Sequence, residues 1–221
     1  MPGDRKPSGH AKTRRLVVPD FTALILDVGG VLIETPARDA RSAWEQAHGL
    51  EQGRLDEILV EAIGPGWEGG RTEAEIEARL CAACGVDPSG LADLLEALSA
   101  DERICPHWRR ALDKIAGKLP LALLTNSGPN TRAGLVARHG LERWFSVIVI
   151  SAEEGVSKPD PVIYRRTCER LGRPPSECLF VDDRQSNVAG AQAVGLGAIR
   201  FTSSVETIPA VLERLGLGHL L

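Results

Sequence analysis

The sequence predicts an α/β protein with a doubly wound parallel sheet and an inserted all-helical segment. Short, continuous apolar runs alternate with stretches of helical periodicity beyond residue 105, which is typical of a parallel sheet covered by helices on both faces. Polar residues follow directly after the apolar runs, at the strand ends where such sheets bind ligands. Between residues 37 and 103, Ala, Glu, Leu and Arg are frequent and apolar positions recur at helical spacing, which indicates helices without strands.

Length, charge and cysteine content narrow the class of protein. The chain has 221 residues, enough for one sizeable domain or a domain with a large insertion. Its net charge of -4 is mild and no long basic face is visible, so we expect a small-molecule ligand and no nucleic acid. Five cysteines without a secretory signal argue against a disulfide framework and for a cytoplasmic protein. No apolar run approaches the roughly 20 residues of a membrane span, and the oligomeric state is left open.

The N-terminal residues differ in composition from the rest of the chain. Residues 1–19 place several Lys and Arg among Gly, Pro and Ser, and they lack the apolar core of a signal peptide. We therefore expect this segment to be a flexible basic tail.

The first predicted strand lies within residues 16–32 and is closed by a polar break from Asp27 to Gly30. The helical segment follows, and its two internal turns, at 64–66 and 85–88, leave room for three or four helices.

These boundaries divide the chain into two parts. We expect residues 20–35 and 105–221 to form the α/β core, and residues 36–104 to form a helical cap. The runs 33–36 and 103–106 connect the two parts and are the predicted hinges.

The remaining elements alternate along the core. Strands are predicted at 119–125, 147–150, 178–181 and 198–201, and helices near 107–117, 129–139, 160–171, 185–194 and 205–215.

Four predicted strands end in side chains that suit phosphoryl chemistry. They supply Asp27, the run Thr125-Asn126-Ser127, Ser151 followed by Lys158, and the pair Asp182-Asp183. Several carboxylates share a small volume only when a cation neutralises them, and hard oxygen ligands favour Mg²⁺. The sequence therefore predicts a magnesium site that acts on a small phosphorylated metabolite.

The chemistry assigns a role to each strand end. We expect Asp27 to attack phosphorus and to form an aspartyl-phosphate that water then breaks. Lys158 is expected to hold the phosphate beside the nucleophile, and Thr125 to donate a hydrogen bond to a phosphoryl oxygen. We expect backbone amides after Asp27, Gly30 among them, to bind the other phosphoryl oxygens.

Four motifs in order resemble the haloacid dehalogenase superfamily, in its phosphatase-like branch with a helical cap after the first strand and a Rossmann-like core. They are Asp27-Val28-Gly29-Gly30-Val31-Leu32, Leu124-Thr125-Asn126-Ser127, Ser157-Lys158-Pro159-Asp160-Pro161, and Phe180-Val181-Asp182-Asp183 with Asn187 following. The resemblance implies that Asp27 is the nucleophile and that Thr125 and Lys158 position the phosphate. It also implies that Asp182 and Asp183 bind Mg²⁺ together with Asp27 and the Gly29 carbonyl.

The sequence departs from the pattern at Gly29. Phosphatases of this family usually carry a second aspartate there, which protonates the leaving oxygen and activates water. General acid/base catalysis contributes about 10²–10⁴-fold. One interpretation is a phosphatase for esters whose leaving group needs little protonation, such as anomeric or acyl phosphates. Another is a phosphatase that borrows a base from the cap, with Glu34 and His48 as candidates.

Two further interpretations stay open at this point. In the first, the chain is a haloacid dehalogenase, because it resembles these enzymes in lacking the second aspartate, and they displace halide without a metal. In the second, the chain is a catalytically silent binding protein. The pair Asp182-Asp183 favours the phosphatase over the dehalogenase, because adjacent carboxylates beside Asp27 repel one another unless a cation is present.

Other residues complete the prediction. We expect Asn126 to bind phosphate or orient a cap residue, Asn187 to support the metal loop, and Trp67 and Arg71 to contact the substrate from a glycine-rich cap loop. Trp44, Trp108, Cys81 and Cys84 are predicted to pack in the core and cap.

Overall fold

The computed structural model describes residues 20–63, 72–128 and 131–220. The strands are β1 (Ala23–Leu26), β2 (Ile33–Glu34), β3 (Arg103–Ile104), β4 (Leu121–Thr125), β5 (Val147–Ile150), β6 (Cys178–Asp182) and β7 (Gly197–Arg200). The helices are α1 (Asp39–Ala47), α2 (Arg54–Ile63), α3 (Glu73–Cys84), α4 (Leu91–Ser99), α5 (Pro106–Ile115), α6 (Thr131–His139), α7 (Ser151–Glu154), α8 (Pro161–Leu171), α9 (Gln185–Ala193) and α10 (Ser204–Arg214).

A five-stranded parallel sheet forms the centre of the core, in the order β5-β4-β1-β6-β7. The three inner strands are completely buried, which explains why they are continuous apolar runs rather than alternating ones. The chain adds β4 and β5 on one side of β1 and then crosses to add β6 and β7 on the other. Because the strand order reverses beside β1, the carboxyl end of β1 is the expected position for a ligand site.

Helices cover both faces of this sheet. On one face, α5, α6 and α10 contribute Trp108, Leu135 and Ile208 to a large apolar cluster. On the other, α8 and α9 contribute Tyr164 and Ala191. The fold class is therefore the predicted one, a doubly wound parallel sheet.

Four helices, α1 to α4, form the insert between β2 and β3, and they have an apolar cluster of their own. This cluster includes Trp44, Leu55, Ile58 and Leu94, all of which are buried. An antiparallel pairing of Ile33 with Ile104, and of the residues beside them, joins the insert to the core. Both segments that were predicted as hinges therefore begin as paired strands, a contact between distant residues that no local pattern indicates.

Most predicted elements agree with the structure to within about two residues, but the first strand does not. It was placed within residues 16–32, whereas β1 covers only Ala23–Leu26. A loop follows Asp27 in place of further strand, because Gly30 adopts a φ of 74°, a turn conformation that interrupts the strand. The four-residue helix α7 was not predicted, since one helical turn has no periodicity to detect.

Several other predictions concern single residues or segments. Trp44 and Trp108 are buried as predicted, and all five cysteines are buried free thiols. No helix of the described residues is long and apolar enough to cross a membrane. The proposed basic tail, residues 1–19, lies outside the described residues.

Candidate active site

Asp27 lies directly after β1, at the carboxyl edge of the sheet. Its N–H donates to the Val181 carbonyl at 2.9 Å, so the residue continues the β1–β6 pairing while its side chain lies beyond the strands. The loop then turns sharply, with the Gly30 N–H donating to the Ile33 carbonyl and the Ile33 N–H to the Val28 carbonyl. Asp27 is only 8% exposed, which places a carboxylate at the bottom of a site that solvent barely reaches.

Lys158 is the cation that accompanies this carboxylate. Its Nζ donates to Asp27 Oδ1 at 2.7 Å, to Asp182 Oδ2 at 2.7 Å and to the Leu124 carbonyl at 3.0 Å. All three of its N–H donors are used, and the side chain is 1% exposed. Lys158 therefore bridges the ends of three strands, β1, β4 and β6, and compensates part of the negative charge there.

The two aspartates after β6 differ in their surroundings. Both oxygens of Asp182 accept hydrogen bonds: Oδ1 from the Arg184 N–H and from Asn187 Nδ2, and Oδ2 from Lys158 Nζ and again from Asn187. In this arrangement Asp182 positions Lys158 and the loop after β6. An oxygen of Asp182 also lies within 4.8 Å of oxygens of Asp27 and Asp183, so its predicted role as a metal ligand stays a prediction. The predicted supporting role of Asn187 agrees with these contacts.

Asp183 has no ion-pair partner among the residues that the structure describes. Oxygens of Asp27, Asp182 and Asp183 lie within 4.8 Å of one another, a spacing that lets one cation contact several of them. A Cβ on Gly30 would lie 3.0 Å from Asp183 Oδ2, so Gly30 lets the nucleophile loop approach this carboxylate closely. The Gly29 carbonyl also accepts no backbone hydrogen bond within the described segments.

Burial shifts the pKa values of two of these carboxyls. It raises the pKa of Asp27 to about 6, an increase that Lys158 opposes and the Asp182 charge adds to. The pKa of Asp183 is also raised, mainly by burial and then by Asp182. Both shifts have the direction expected where negative charge exceeds positive charge at low exposure, and a bound cation would reverse them.

The second motif supplies hydroxyls and a positioning amide. Thr125, at the end of β4, is buried and its Oγ1 lies 3.0 Å from Ser127 Oγ. Asn126 donates to the Lys158 carbonyl and accepts from the Lys158 N–H, each at 2.8 Å. Asn126 therefore fixes the backbone of the lysine, a role that was not predicted, and only one of its N–H donors is left for a ligand.

These strand-end side chains open into a cavity of about 730 Å³ between the core and the insert. Its floor is formed by Asp27, Gly29, Thr125, Lys158 and Asp183. Its walls include Ser127 of the second motif and five residues that the sequence did not indicate, namely Arg41, Glu102, Arg138, His139 and Arg184. These five lie on helices or loops where no sequence pattern marked them as wall residues, and only the folded chain brings them to the site.

Several predicted site residues do not stand where they were expected. The Gly30 N–H is used by the Ile33 carbonyl, so the prediction that it binds phosphate is wrong for this loop conformation. Glu34 pairs with Arg103 on the surface, and His48 stacks on Trp44 at 3.8 Å. Neither lines the cavity, and their predicted role as a substitute base stays a prediction.

The two residues of the glycine-rich cap loop, Trp67 and Arg71, lie outside the described residues. Their predicted contact with the substrate therefore stays a prediction.

The chain is similar in sequence to a known protein family and to several known proteins. Residues 21–195 match the model of the haloacid dehalogenase-like hydrolases. Mouse acyl-CoA dehydrogenase family member 10 is 30% identical over 210 residues, which cover 88% of this chain and 19% of that protein. Phosphoserine phosphatase of Thermus thermophilus is 33% identical over 138 residues, covering 60% of this chain and 55% of that protein. The chain thus matches less than two thirds of the length of either relative.

Two solved structures share the fold. The L-2-haloacid dehalogenase of Xanthobacter autotrophicus has a TM-score of 0.66 at 25% identity, over 87% of this chain and 83% of that one. An enzyme of the same superfamily from Bacteroides thetaiotaomicron, in complex with magnesium and inorganic phosphate, has a TM-score of 0.65 at 22% identity, over 82% of this chain and 94% of that one. The similar proteins therefore include both a phosphatase and a dehalogenase.

Proposed function

Because the chain belongs to the haloacid dehalogenase-like hydrolases, we propose that it is a magnesium-dependent phosphatase that hydrolyses a small phosphomonoester through an aspartyl-phosphate at Asp27. The observation that supports this most is the excess of carboxylate over cation at the site. Three carboxyls offer oxygens within 4.8 Å of one another, and Lys158 is buried between two of them. A dianionic phosphate needs positive charge at this position, and a divalent cation supplies it.

The residues present fit a magnesium ion. Asp27, Asp182, Asp183 and the Gly29 carbonyl offer hard oxygen ligands, and Asp182 also holds Lys158. A bound Mg²⁺ would neutralise phosphoryl oxygens and stabilise charge in the transition state. The relative from Bacteroides thetaiotaomicron binds magnesium and phosphate, which supports the same choice here.

The chain's own residues then carry out the reaction. An Asp27 oxygen attacks phosphorus, and the bond to the leaving oxygen breaks with its electron pair staying on that oxygen. Lys158 and the Thr125 hydroxyl orient the phosphoryl group. Water then adds to phosphorus, Asp27 takes back its electron pair, and both protons of the water remain on the released phosphate. The insert, residues 36–104, is proposed to act as a cap that closes over this site.

A phosphatase assay tests the proposal directly. With Mg²⁺ present, the purified chain should release phosphate from 4-nitrophenyl phosphate or another small ester. The dehalogenase is the second candidate, since a relative of that activity shares the fold. Release of halide from 2-chloropropionate in the presence of EDTA would establish dehalogenase activity instead of phosphatase activity. Failure of both reactions would favour the silent binding protein.

Magnesium binding is a separate prediction. At a concentration of about 100 times Kd, Mg²⁺ should raise the free energy of unfolding by about 2.7 kcal/mol, measured by urea denaturation. The Asp183→Asn variant should lose this gain, because its amide is a weaker ligand without charge. The matched control is Asp93→Asn, on the exposed face of α4. This variant should keep the gain in the free energy of unfolding that Mg²⁺ provides. An equal gain in all three proteins would show that the ion binds elsewhere.

Restoring an acid at Gly29 is a second prediction. A Cβ there has no neighbour within 4 Å, and Gly29 is not among the glycines with positive φ, so Gly29→Asp should fold without strain. For an alkyl phosphate, kcat/KM should rise on the order of 10²–10⁴-fold. The control Gly29→Ala adds the same Cβ without a carboxyl and should leave kcat/KM unchanged. If Gly29→Asp also leaves kcat/KM unchanged, another group already protonates the leaving oxygen.

A further inference from the structure

The residues that line the cavity above Asp27 indicate which kind of leaving group the site accommodates. Its walls bring together Leu59 and Ile63 of α2, Leu95 and Leu98 of α4, Leu135 of α6 and Ile33 of β2. Leu95 is 39% exposed, whereas Leu94 and Leu98 of the same helix pack into the apolar cluster of the insert. An apolar wall continuous with the catalytic groups is the usual surface for the non-reacting part of a ligand.

The polar groups of the insert on this wall are mostly engaged within the protein. Arg41 donates to Asp56 at 2.6 Å and to the Leu98 carbonyl. Ser99 donates its hydroxyl to the Leu95 carbonyl at 2.9 Å, within its own helix. A sugar would need several free donors and acceptors to replace the water that its hydroxyls lose on binding. In the described part of the insert, these two side chains do not supply them.

Three other polar groups of the wall, those of Glu102, His139 and Arg184, remain available to a ligand. Glu102 forms no ion pair within 4.0 Å among the described residues, and its carboxyl lies where α4 meets β3. His139, on α6, has a buried Nε2 without a hydrogen-bond partner in the described structure. His139 and Arg184 belong to the core, and on α2 and α4 the lining is apolar apart from the engaged Ser99. The side of the cavity formed by these two helices therefore offers little to the hydroxyls of a polyol.

The same cavity lacks an acid next to the nucleophile. The Gly29 position has no side chain, and the candidates Glu34 and His48 do not line the cavity. The leaving oxygen therefore departs with its electron pair and without a proton from this position. Oxygens of low basicity, as in phenols and carboxylic acids, depart in this way far more readily than the oxygens of sugars.

Taking both features together, we propose that the substrate class is a phosphate ester or acyl phosphate of an apolar, weakly basic leaving group, such as an aryl phosphate, and not a sugar phosphate. This inference rests on the proposed phosphatase function and adds the chemical class of the leaving group. It assigns recognition of the leaving group to the wall formed by α2, α4 and α6, and recognition of the phosphate to the strand ends.

A panel of four esters with Mg²⁺ tests the substrate class. We expect kcat/KM to fall in the order 4-nitrophenyl phosphate, phenyl phosphate, hexyl phosphate, glucose 6-phosphate. Comparing 4-nitrophenyl with phenyl phosphate, and phenyl with hexyl phosphate, measures the effect of the basicity of the leaving oxygen. Hexyl phosphate and glucose 6-phosphate both have basic leaving groups but differ in polarity. We expect kcat/KM to favour hexyl phosphate at least about tenfold, the discrimination that an apolar pocket provides.

A matched pair of variants tests the wall itself. Leu95→Ser should raise KM for hexyl phosphate about tenfold, with little change for methyl phosphate, which is too short to reach α4. Val60→Ser is the control, because Val60 is 69% exposed and does not line the cavity. Both positions are exposed enough for serine to be tolerated, and circular dichroism checks that each variant is folded.

The outcomes separate this inference from the proposed function. Turnover that favours glucose 6-phosphate over hexyl phosphate would overturn the inference and leave the phosphatase intact. An unchanged KM in Leu95→Ser would exclude α4 from recognition of the leaving group and overturn the assignment to this wall. Absence of phosphate release from every ester would contradict the phosphatase function, and the inference would fall with it.

Discussion

Replacing Asp27 by asparagine should abolish phosphate release, with a fall in kcat on the order of 10⁶-fold, as seen when an active-site nucleophile is removed. The amide that replaces the carboxylate is almost the same size, so the cavity and the β1–β6 pairing should be preserved. What is lost is the anionic oxygen that attacks phosphorus. Steady-state assays with 4-nitrophenyl phosphate measure the loss, and single-turnover assays with labelled ester would show whether any phosphoryl-enzyme still forms.

Two controls distinguish loss of the nucleophile from loss of the fold. Asp20→Asn changes an exposed carboxylate at the start of the described chain and should retain full activity. The Asp27→Asn variant should also be at least as resistant to urea as the native protein, because burial already raises the pKa of Asp27 to about 6 and a neutral amide avoids that cost. Activity that survives in a folded Asp27→Asn variant would remove Asp27 from the mechanism.

Replacing Lys158 by methionine should produce a large loss of stability. The Nζ atom lies 2.7 Å from both Asp27 Oδ1 and Asp182 Oδ2, and the side chain is 1% exposed. Removing it leaves two carboxylates facing each other in a buried site without a cation. Breaking a buried ion pair in this way costs about 3–5 kcal/mol, which urea denaturation in EDTA would detect.

The double variant Asp27→Asn/Lys158→Met provides the matched control. Since it removes one of the two carboxylates together with the ammonium, it should recover part of the stability that Lys158→Met loses, with a coupling energy of about 0.5–3 kcal/mol. Purely additive losses would show that Lys158 acts through its packing and not through its charge. Phosphatase activity should be absent from both variants.

The stability loss of Lys158→Met should also depend on pH. The folded pKa of Asp27 is raised from 3.8 to about 6 in the native protein, so the folded state binds a proton more tightly than the unfolded chain does. For such a group, stability declines as pH rises through the folded pKa. Without Lys158 the pKa rises further, so the deficit of the variant should be smaller at pH 5 than at pH 8. A deficit that is the same at both values would contradict this origin.

The motif residues illustrate how far a sequence can be used to predict a site. Asp27, Thr125, Lys158 and Asp183 were identified because each follows an apolar run, and parallel strands bring their carboxyl ends to one edge. The structure places all four on the floor of one cavity. The spacing of the motifs did not reveal what each side chain contacts, and for this reason the contacts by which Asp182 and Asn126 position Lys158 were not predicted.

Local periodicity and the position of polar residues after buried strands were enough to predict the fold class, the helical insert and the residues on the floor of the site. Which groups lie above Asp27 depends instead on tertiary packing. Leu95 of α4 and His139 of α6 meet in one cavity although 44 positions separate them, and the pairing of β2 with β3 holds the insert against the core. Such contacts depend on packing between distant segments, for which a single sequence carries no periodic signal.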